Sequence, residues 1–394
     1  VHDVVLILCP RCYANSQLSI VFVLIVPSIA QDKQIDQAPI LQEVRLADVH
    51  SLDEGNVIVI KDDNSVCRPP DQTQDSQEGW IRLSPPLIKE TLTDVYTFNE
   101  NSAIAVGSQG AVYKTIDQGG NWSKINSGTT SNLNAIFFWD ENKGWIVGSN
   151  GIVLKTEDGG NSWRIIETNL NTLLDVYFLD ANVGWIITSS RIYKTTDGGE
   201  NWVEKFASTE ATYFFESISF CDASRGIAVG SMGKMYRTTD GGENWAIMET
   251  GGAVWMYDVQ FTNATHGWIA GLRASRISIT VGGMFGGISI EIDNPSYTLW
   301  ETTDSGSTWT QRNFSYSGRL YGVYFLNETI GWTTGTNGAV FTTNDGGSTW
   351  SVVRSVHDMN AVHFCDAQTG WAVGQDGTVL YTNNGGNIWT LQSG

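Results

Sequence analysis

Carboxylates are the side chains here with the numbers and spacing to do chemistry. Asp and Glu together number 42 in a chain of 394 residues, enough to supply the acid and base pair of a glycoside hydrolase. The most regular of them are Asp117, Asp158, Asp197, Asp240, Asp304 and Asp345, and Asn384 completes the series. Each lies in the phrase Thr-x-Asp-x-Gly-x-x-Trp, of which Thr156–Trp163 is one of seven copies. This phrase is the Asp-box. The copy at Asn384 lacks a carboxylate, which a hydrogen-bonded turn tolerates and a general acid or base does not. The box therefore predicts a turn. The Thr hydroxyl and the Asp carboxylate bond the turn's own backbone, glycine takes the positive φ of a tight hairpin, and the Trp ring folds over the bend.

The other reactive types give no pattern. The five His (His2, His50, His266, His357 and His363) show no metal spacing, and His363 reads as a core residue on a strand lining a central channel. Cys221 and Cys365 occur in the same phrase, Phe-Cys-Asp-Ala, in repeats three apart; they read as unpaired small core residues. Cys9-Pro-Arg-Cys12 has no second half, and Cys67 stands alone. No metal and no cofactor is expected. A net charge of −19 argues against nucleic acid, which needs clustered Lys and Arg.

Strands must position these residues. The boxes recur about every 40 residues, with one longer interval between Asp240 and Asp304. One period holds four strand signals, as at Leu133–Phe138, Gly144–Gly148, Ile152–Thr156 and Ser162–Ile166. The first strand ends in a fixed phrase such as Phe138-Trp139-Asp140 or Phe178-Leu179-Asp180, and a Gly-Trp or Gly-Ile pair opens the second, at Trp145, Trp185, Ile227, Trp268, Trp332 and Trp371. Asn150-Gly151, Asn337-Gly338 and Asp376-Gly377 are hairpin turns. The fold class is all-β: a seven-bladed β-propeller of four-stranded antiparallel blades over residues 80–394. Gly79–Leu83 resembles a fourth strand without its box and is the candidate to dock on the edge of the last blade. The long interval adds a two-stranded β-ribbon at 272–299, alternating on both sides of a Gly-rich tip. Its tip residues Met284 and Phe285, with Arg273 and Arg276 at its base, are candidate partner contacts.

Ahead of the repeat, residues 1–30 carry an apolar run from Leu18 to Ile29 closed by Ser28-Ile29-Ala30, the pattern of a signal peptide cut after Ala30. Residues 31–79 read as an acidic N-terminal tether and linker with room for one hairpin.

Thr-x-Asp-Gly-Gly-x-x-Trp at this period, with Gly-Trp-x-x-Gly between copies, resembles the photosystem II stability/assembly factor family of seven-bladed propellers. The resemblance covers about 80–394. It implies a lumenal or periplasmic, chaperone-like protein that binds a partner polypeptide without catalysis, and it implies an arginine-rich patch on one face. Arg191, Arg273, Arg276 and Arg319 are the arginines that fall near one rim here, although no motif fixes them. Asp-boxes also occur in sialidases and xyloglucan-active glycosidases. A sialidase needs three converging Arg and an Arg-Ile-Pro entry; Arg191-Ile192 and Arg276-Ile277 are not followed by Pro. Xyloglucan enzymes resemble two propellers in tandem, and one ring is present here. The expected function is thus an exported, monomeric propeller that binds a protein, possible partners including a membrane-complex subunit. The alternatives are a polysaccharide-binding or glycosidase-like propeller and a structural surface module. Periplasm, thylakoid lumen and extracellular space all fit.

Overall fold

A computed structural model describes residues 46–52, 56–61, 66–68, 81–82 and 88–392, apart from 211–212, 250–253, 282–287 and 356. The signal-peptide reading and the ribbon tip with Met284 and Phe285 lie outside the described residues.

From Leu92 onward the repeat folds as seven antiparallel sheets, each a meander of four consecutive strands. Blade 1 runs from Leu92–Asn99 to Ser123–Lys124, blade 2 from Leu133–Phe138 to Arg164–Glu167, and blade 3 from Leu173–Phe178 to Val203–Ala207. Blade 4 runs from Phe215–Phe220 to Ala246–Glu249, blade 5 from Val254–Phe261 to Thr310–Ser317, blade 6 from Leu320–Phe325 to Ser351–Arg354, and blade 7 from Met359–Phe364 to Thr390–Leu391. Helix among the described residues is limited to three short 3-10 turns. Two of these contain Asn150-Gly151 and Asp376-Gly377, where both residues take positive φ (61° and 68°; 52° and 69°), the geometry of the tightest hairpins.

Each box is a closed hydrogen-bonded turn. In blade 2 the Thr156 hydroxyl donates to Asp158 Oδ1 at 2.7 Å and accepts from Gly160 N–H at 3.0 Å, while the Ser162 N–H and hydroxyl donate to the two carboxylate oxygens. The Trp that follows meets the Phe ending its blade's first strand edge-on, as for Phe220–Trp245 (5.9 Å, 85°) and Phe364–Trp389 (5.6 Å, 87°). The other face of that Phe is covered by the second-strand Trp of the preceding blade: Trp145 on Phe178 (3.6 Å, 10°), Trp185 on Phe220 (3.8 Å, 22°), Trp268 on Phe325 (4.2 Å, 3°) and Trp332 on Phe364 (3.4 Å, 9°). The core therefore lies between blades, since a lone blade cannot cover both of its faces. Cations latch the outside of the same junctions: Lys114 Nζ donates to the Gly159 carbonyl of the next blade's box, and Lys194 Nζ to that of Gly241.

The ring closes in a way the sequence did not suggest. Thr97 of blade 1 donates its N–H to His363 Nδ1 of blade 7 (3.2 Å) and its hydroxyl to the His363 carbonyl, and Asn360 Nδ2 donates to the Leu92 carbonyl (2.6 Å). Ile81–Arg82 does not join the last blade; it pairs with Val66–Arg68. That pairing completes a further four-stranded sheet with Leu46–Leu52 and Asn56–Lys61; three of its strands lie in the stretch read as tether and linker, and Ile81–Arg82 lies at the start of the span read as propeller.

The ribbon is an extension of blade 5. Its second and third strands, Gly267–Val281 and Ile288–Thr302, stay in unbroken register from Gly267↔Thr302 to Val281↔Ile288.

Candidate functional site: the mouth of the central channel

The first strand of every blade carries a register shift against the second, at Leu92/Asp94, Leu173/Asp175, Phe215/Ser217, Met256/Asp258, Leu320/Gly322 and Met359/Ala361, and in blade 2 opposite Val147/Gly148. A bulge leaves one residue out of the ladder and re-aims its side chain. The residues so released are Thr93, Asn134, Leu174, Glu216, Tyr257, Tyr321 and Asn360. Together with the next residue of every blade they line a cavity of about 210 Å³ at one end of the channel.

The seven released residues are not equivalent. In blades 1, 2 and 7 they are tied to the following blade: Thr93 donates to the Leu133 carbonyl (2.7 Å), Asn134 to that of Leu173 (2.6 Å), and Asn360 to that of Leu92. Leu174, Glu216, Tyr257 and Tyr321 make no such tie. The two tyrosines meet edge to face at 5.4 Å. Burial raises the Glu216 carboxyl to about 7.

One layer deeper stand Asp94, Asp175 and Asp258, alternating with Ala135, Ser217, Gly322 and Ala361. Each Asp reaches across a blade junction. Asp94 accepts from Ile136 N–H (2.9 Å), Asp175 from Ile218 N–H (2.8 Å) and Asp258 from Val323 N–H (2.8 Å), and Ser217 bridges the last two. Burial pushes all three carboxyls up, Asp94 to about 8 and Asp175 to about 7, against the lowering effect of those N–H donors. Deeper still, His363 packs between Tyr96 and Tyr324 and is driven down to about 3 by burial. It is a structural residue at the ring closure. Cys221 and Cys365 are free thiols.

The rim above the mouth is set by the residue preceding each first-strand anchor. In six blades its carbonyl packs against a second-strand glycine; a Cβ on Gly230 would stand 1.9 Å from Phe214 O, and one on Gly271 2.1 Å from Trp255 O. The same contact identifies Thr91, Asn132, Arg319 and Asp358 as the equivalent residues. Phe214 and Trp255 are exposed (48% and 38%), and Met232, in the blade 4 turn between them, is 46% exposed. Phe214 and Ser231 exchange hydrogen bonds, and Gly233 N–H donates to the Val254 carbonyl, so the three apolar side chains belong to adjoining backbone.

The boxes lie at the opposite end, beside the turns joining first to second strands; Gly159 N–H donates to the Asn142 carbonyl and Gly198 N–H to that of Asn182. Asp117, Asp158, Asp197, Asp240, Asp304, Asp345 and Asn384 are thus a circle remote from the mouth. The four arginine candidates fall at the mouth end but on three different blades, two of them on blade 5. Arg191 opens the third strand of blade 3 and pairs with Glu204. Arg273, in blade 5, donates to Gln311 Oε1 at 2.8 Å. Arg276 lies on the ribbon opposite Asp293. Arg319, exposed at the rim of blade 6, is an electrostatic neighbour of Tyr257. Glu216, Tyr257, Tyr321, Phe214 and Trp255 were not singled out from the sequence; aligning the repeats on their terminal Phe would have placed Phe214, Trp255 and Arg319 in one column.

A family model described as photosynthesis system II assembly factor YCF48 matches residues 70–157, 120–167, 156–251 and 301–393, more than half of the chain. Among solved structures, YCF48 bound to a D1 peptide is similar at a TM-score of 0.58 and 20% identity, with 76% of this chain and 95% of that chain covered. YCF48 from Cyanidioschyzon merolae gives 0.54 and 21%, covering 77% and 98%. The WD40 β-propeller domain of Doa1 gives 0.56 at 10% identity, covering 75% and 93%. At these identities the structural likeness is one of fold. No curated protein sequence matches the chain.

Proposed function

The chain belongs to the photosynthesis system II assembly factor YCF48 family, and from that premise we propose that it is an exported, monomeric, non-catalytic scaffold that holds a segment of a membrane-complex subunit at the channel mouth. The observation that carries this reading is the division of labour among the carboxylates. The box carboxylates and channel Asp residues each bond their own turn or the next blade, which suits them to holding a rigid ring. What faces outward at the mouth on blades 4 and 5 is apolar and aromatic surface, Phe214, Met232 and Trp255, the kind that docks protein. Export is supported by the apolar run ahead of Gln31. The described strands of the blade 5 ribbon rise from the same end, and Met284, Phe285, Arg273 and Arg276 are proposed partner contacts.

A solved relative is YCF48 bound to a D1 peptide, so a D1 peptide is the probe. Calorimetric titration of the full chain is expected to give one-to-one binding with the peptide recovered intact. Replacing residues 282–287 by an Asn-Gly turn is expected to weaken that binding while the melting temperature stays put. No binding to the peptide, with capture of a polysaccharide on a glycan array instead, would overturn the reading.

A further inference from the structure

The mouth is polarised, and its two halves follow from the same positions in successive blades. Across blades 7, 1 and 2 the rim and bulge residues are Asp358, Asn360, Thr91, Thr93, Asn132 and Asn134, and the bulge side chains are tied to the next blade. Across blades 4 to 6 the same positions hold Phe214, Glu216, Trp255, Tyr257, Arg319 and Tyr321. Exposed apolar groups that adjoin one another are uncommon on a protein without a partner. Aromatic anchors are the residues that dominate the energy of protein interfaces.

Charge says what kind of partner fits. The cavity beside these aromatics is lined by Asp94, Asp175, Asp258 and Glu216, and by no Lys, Arg or His. The three Asp residues have backbone or hydroxyl donors. Glu216 has neither a hydrogen bond nor an ion pair among the described residues, and burial holds its carboxyl up at about 7. A desolvated carboxyl with no partner gains most from an arriving cation.

Resting on the reading of the protein as a partner-binding scaffold, we propose that blades 4 to 6 recognise an extended protein segment whose apolar side chains pack on Phe214, Met232 and Trp255 and whose lysine or arginine enters the channel mouth against Glu216. Arg319, at the edge of the patch, sits outside the cavity and leaves the mouth acidic.

A random-peptide phage library panned on the immobilised full chain tests this, beside Trp255→Ser, Phe214→Ser and Glu216→Gln variants. Trp255 and Phe214 are exposed, so their replacement should leave the melting temperature unchanged, and that measurement accompanies each variant. The wild type is expected to enrich peptides with aromatic or aliphatic residues next to a Lys or Arg. Trp255→Ser and Phe214→Ser should abolish the enrichment. Glu216→Gln should keep the apolar preference, lose the basic one, and weaken an enriched lysine peptide about tenfold. Enrichment of acidic peptides, of none, or of the same peptides by folded Trp255→Ser and Phe214→Ser would overturn the proposal. If the D1 peptide still binds in that event, the scaffold reading stands and only this site falls.

Discussion

Asn384 and Ile388 depart together from the other six boxes. In those six, the second carboxylate oxygen accepts from the side chain four residues on: Asn121, Ser162, Asn201, Asn244, Thr308 or Thr349. In the seventh, Asn384 Oδ1 still accepts from the Thr382 hydroxyl and the Ile388 N–H (both 2.9 Å). Its second position is an amide, and residue 388 is an apolar side chain with nothing to donate. One bond needs both residues, so its loss at either makes the other free to vary. A double-mutant cycle reads this directly. Asn384→Asp with Ile388→Asn is expected to raise stability by about 1 kcal/mol beyond the sum of the single changes, measured by urea unfolding. Additive single effects would show that the bond contributes nothing. The box itself was legible in the sequence because its bonds are local, and Asn384 already marked it as a turn. Five of its six carboxylates prove exposed, Asp304 alone being half-buried, which puts those five at the low end of what a hydrogen bond contributes.

Blades were legible for the same reason. In the second repeat the first three strands fall where the sequence places them, and the fourth starts later, at Arg164, because Trp163 is still part of the box turn. The bulges were not legible. They fall on Thr, Asn, Leu, Glu, Tyr, Tyr and Asn, and no residue type marks a place where the ladder skips; it is fixed by pairing with the second strand. The sheet from Leu46 to Arg82 was missed because it has no box, and its one Gly-Trp pair, Gly79-Trp80, stands next to the last strand instead of the second. Between blades, the stacked Trp and Phe predict a sharp dependence on single rings. Trp185 is fully buried against Phe220. Trp185→Ala is expected to cost about 3–5 kcal/mol, seen as an earlier denaturation midpoint with an unchanged slope. A shift no larger than that of a surface substitution would mean that the junctions do not depend on this stack.

At the scale of the whole ring, the channel makes stability depend on pH. Asp94 and Asp175 keep their protons to about 8 and about 7 in the folded chain but lose them near 4 when unfolded. The folded state then binds more protons from about pH 4 up to about 7 and 8, so stability falls as pH rises across that interval and is lost by about 8. His363, lowered to about 3, works oppositely between about 3 and 6.5, so it offsets part of the fall below 6.5 and none of it above. The melting temperature is expected to drop from pH 6.5 to 9, and Asp94→Asn to flatten the drop; a rise over that range would contradict the burial of these carboxyls.

The central claim is that partner protein meets this ring at the channel mouth, on the side away from the boxes. Hydrogen–deuterium exchange of the full chain with and without a saturating D1 peptide tests it most directly. Protection is expected in Phe214–Ser217, Ser231–Gly233, Val254–Asp258 and Arg319–Gly322, with the box turns unchanged. Protection confined to the box turns, or to the outer strands, would contradict it.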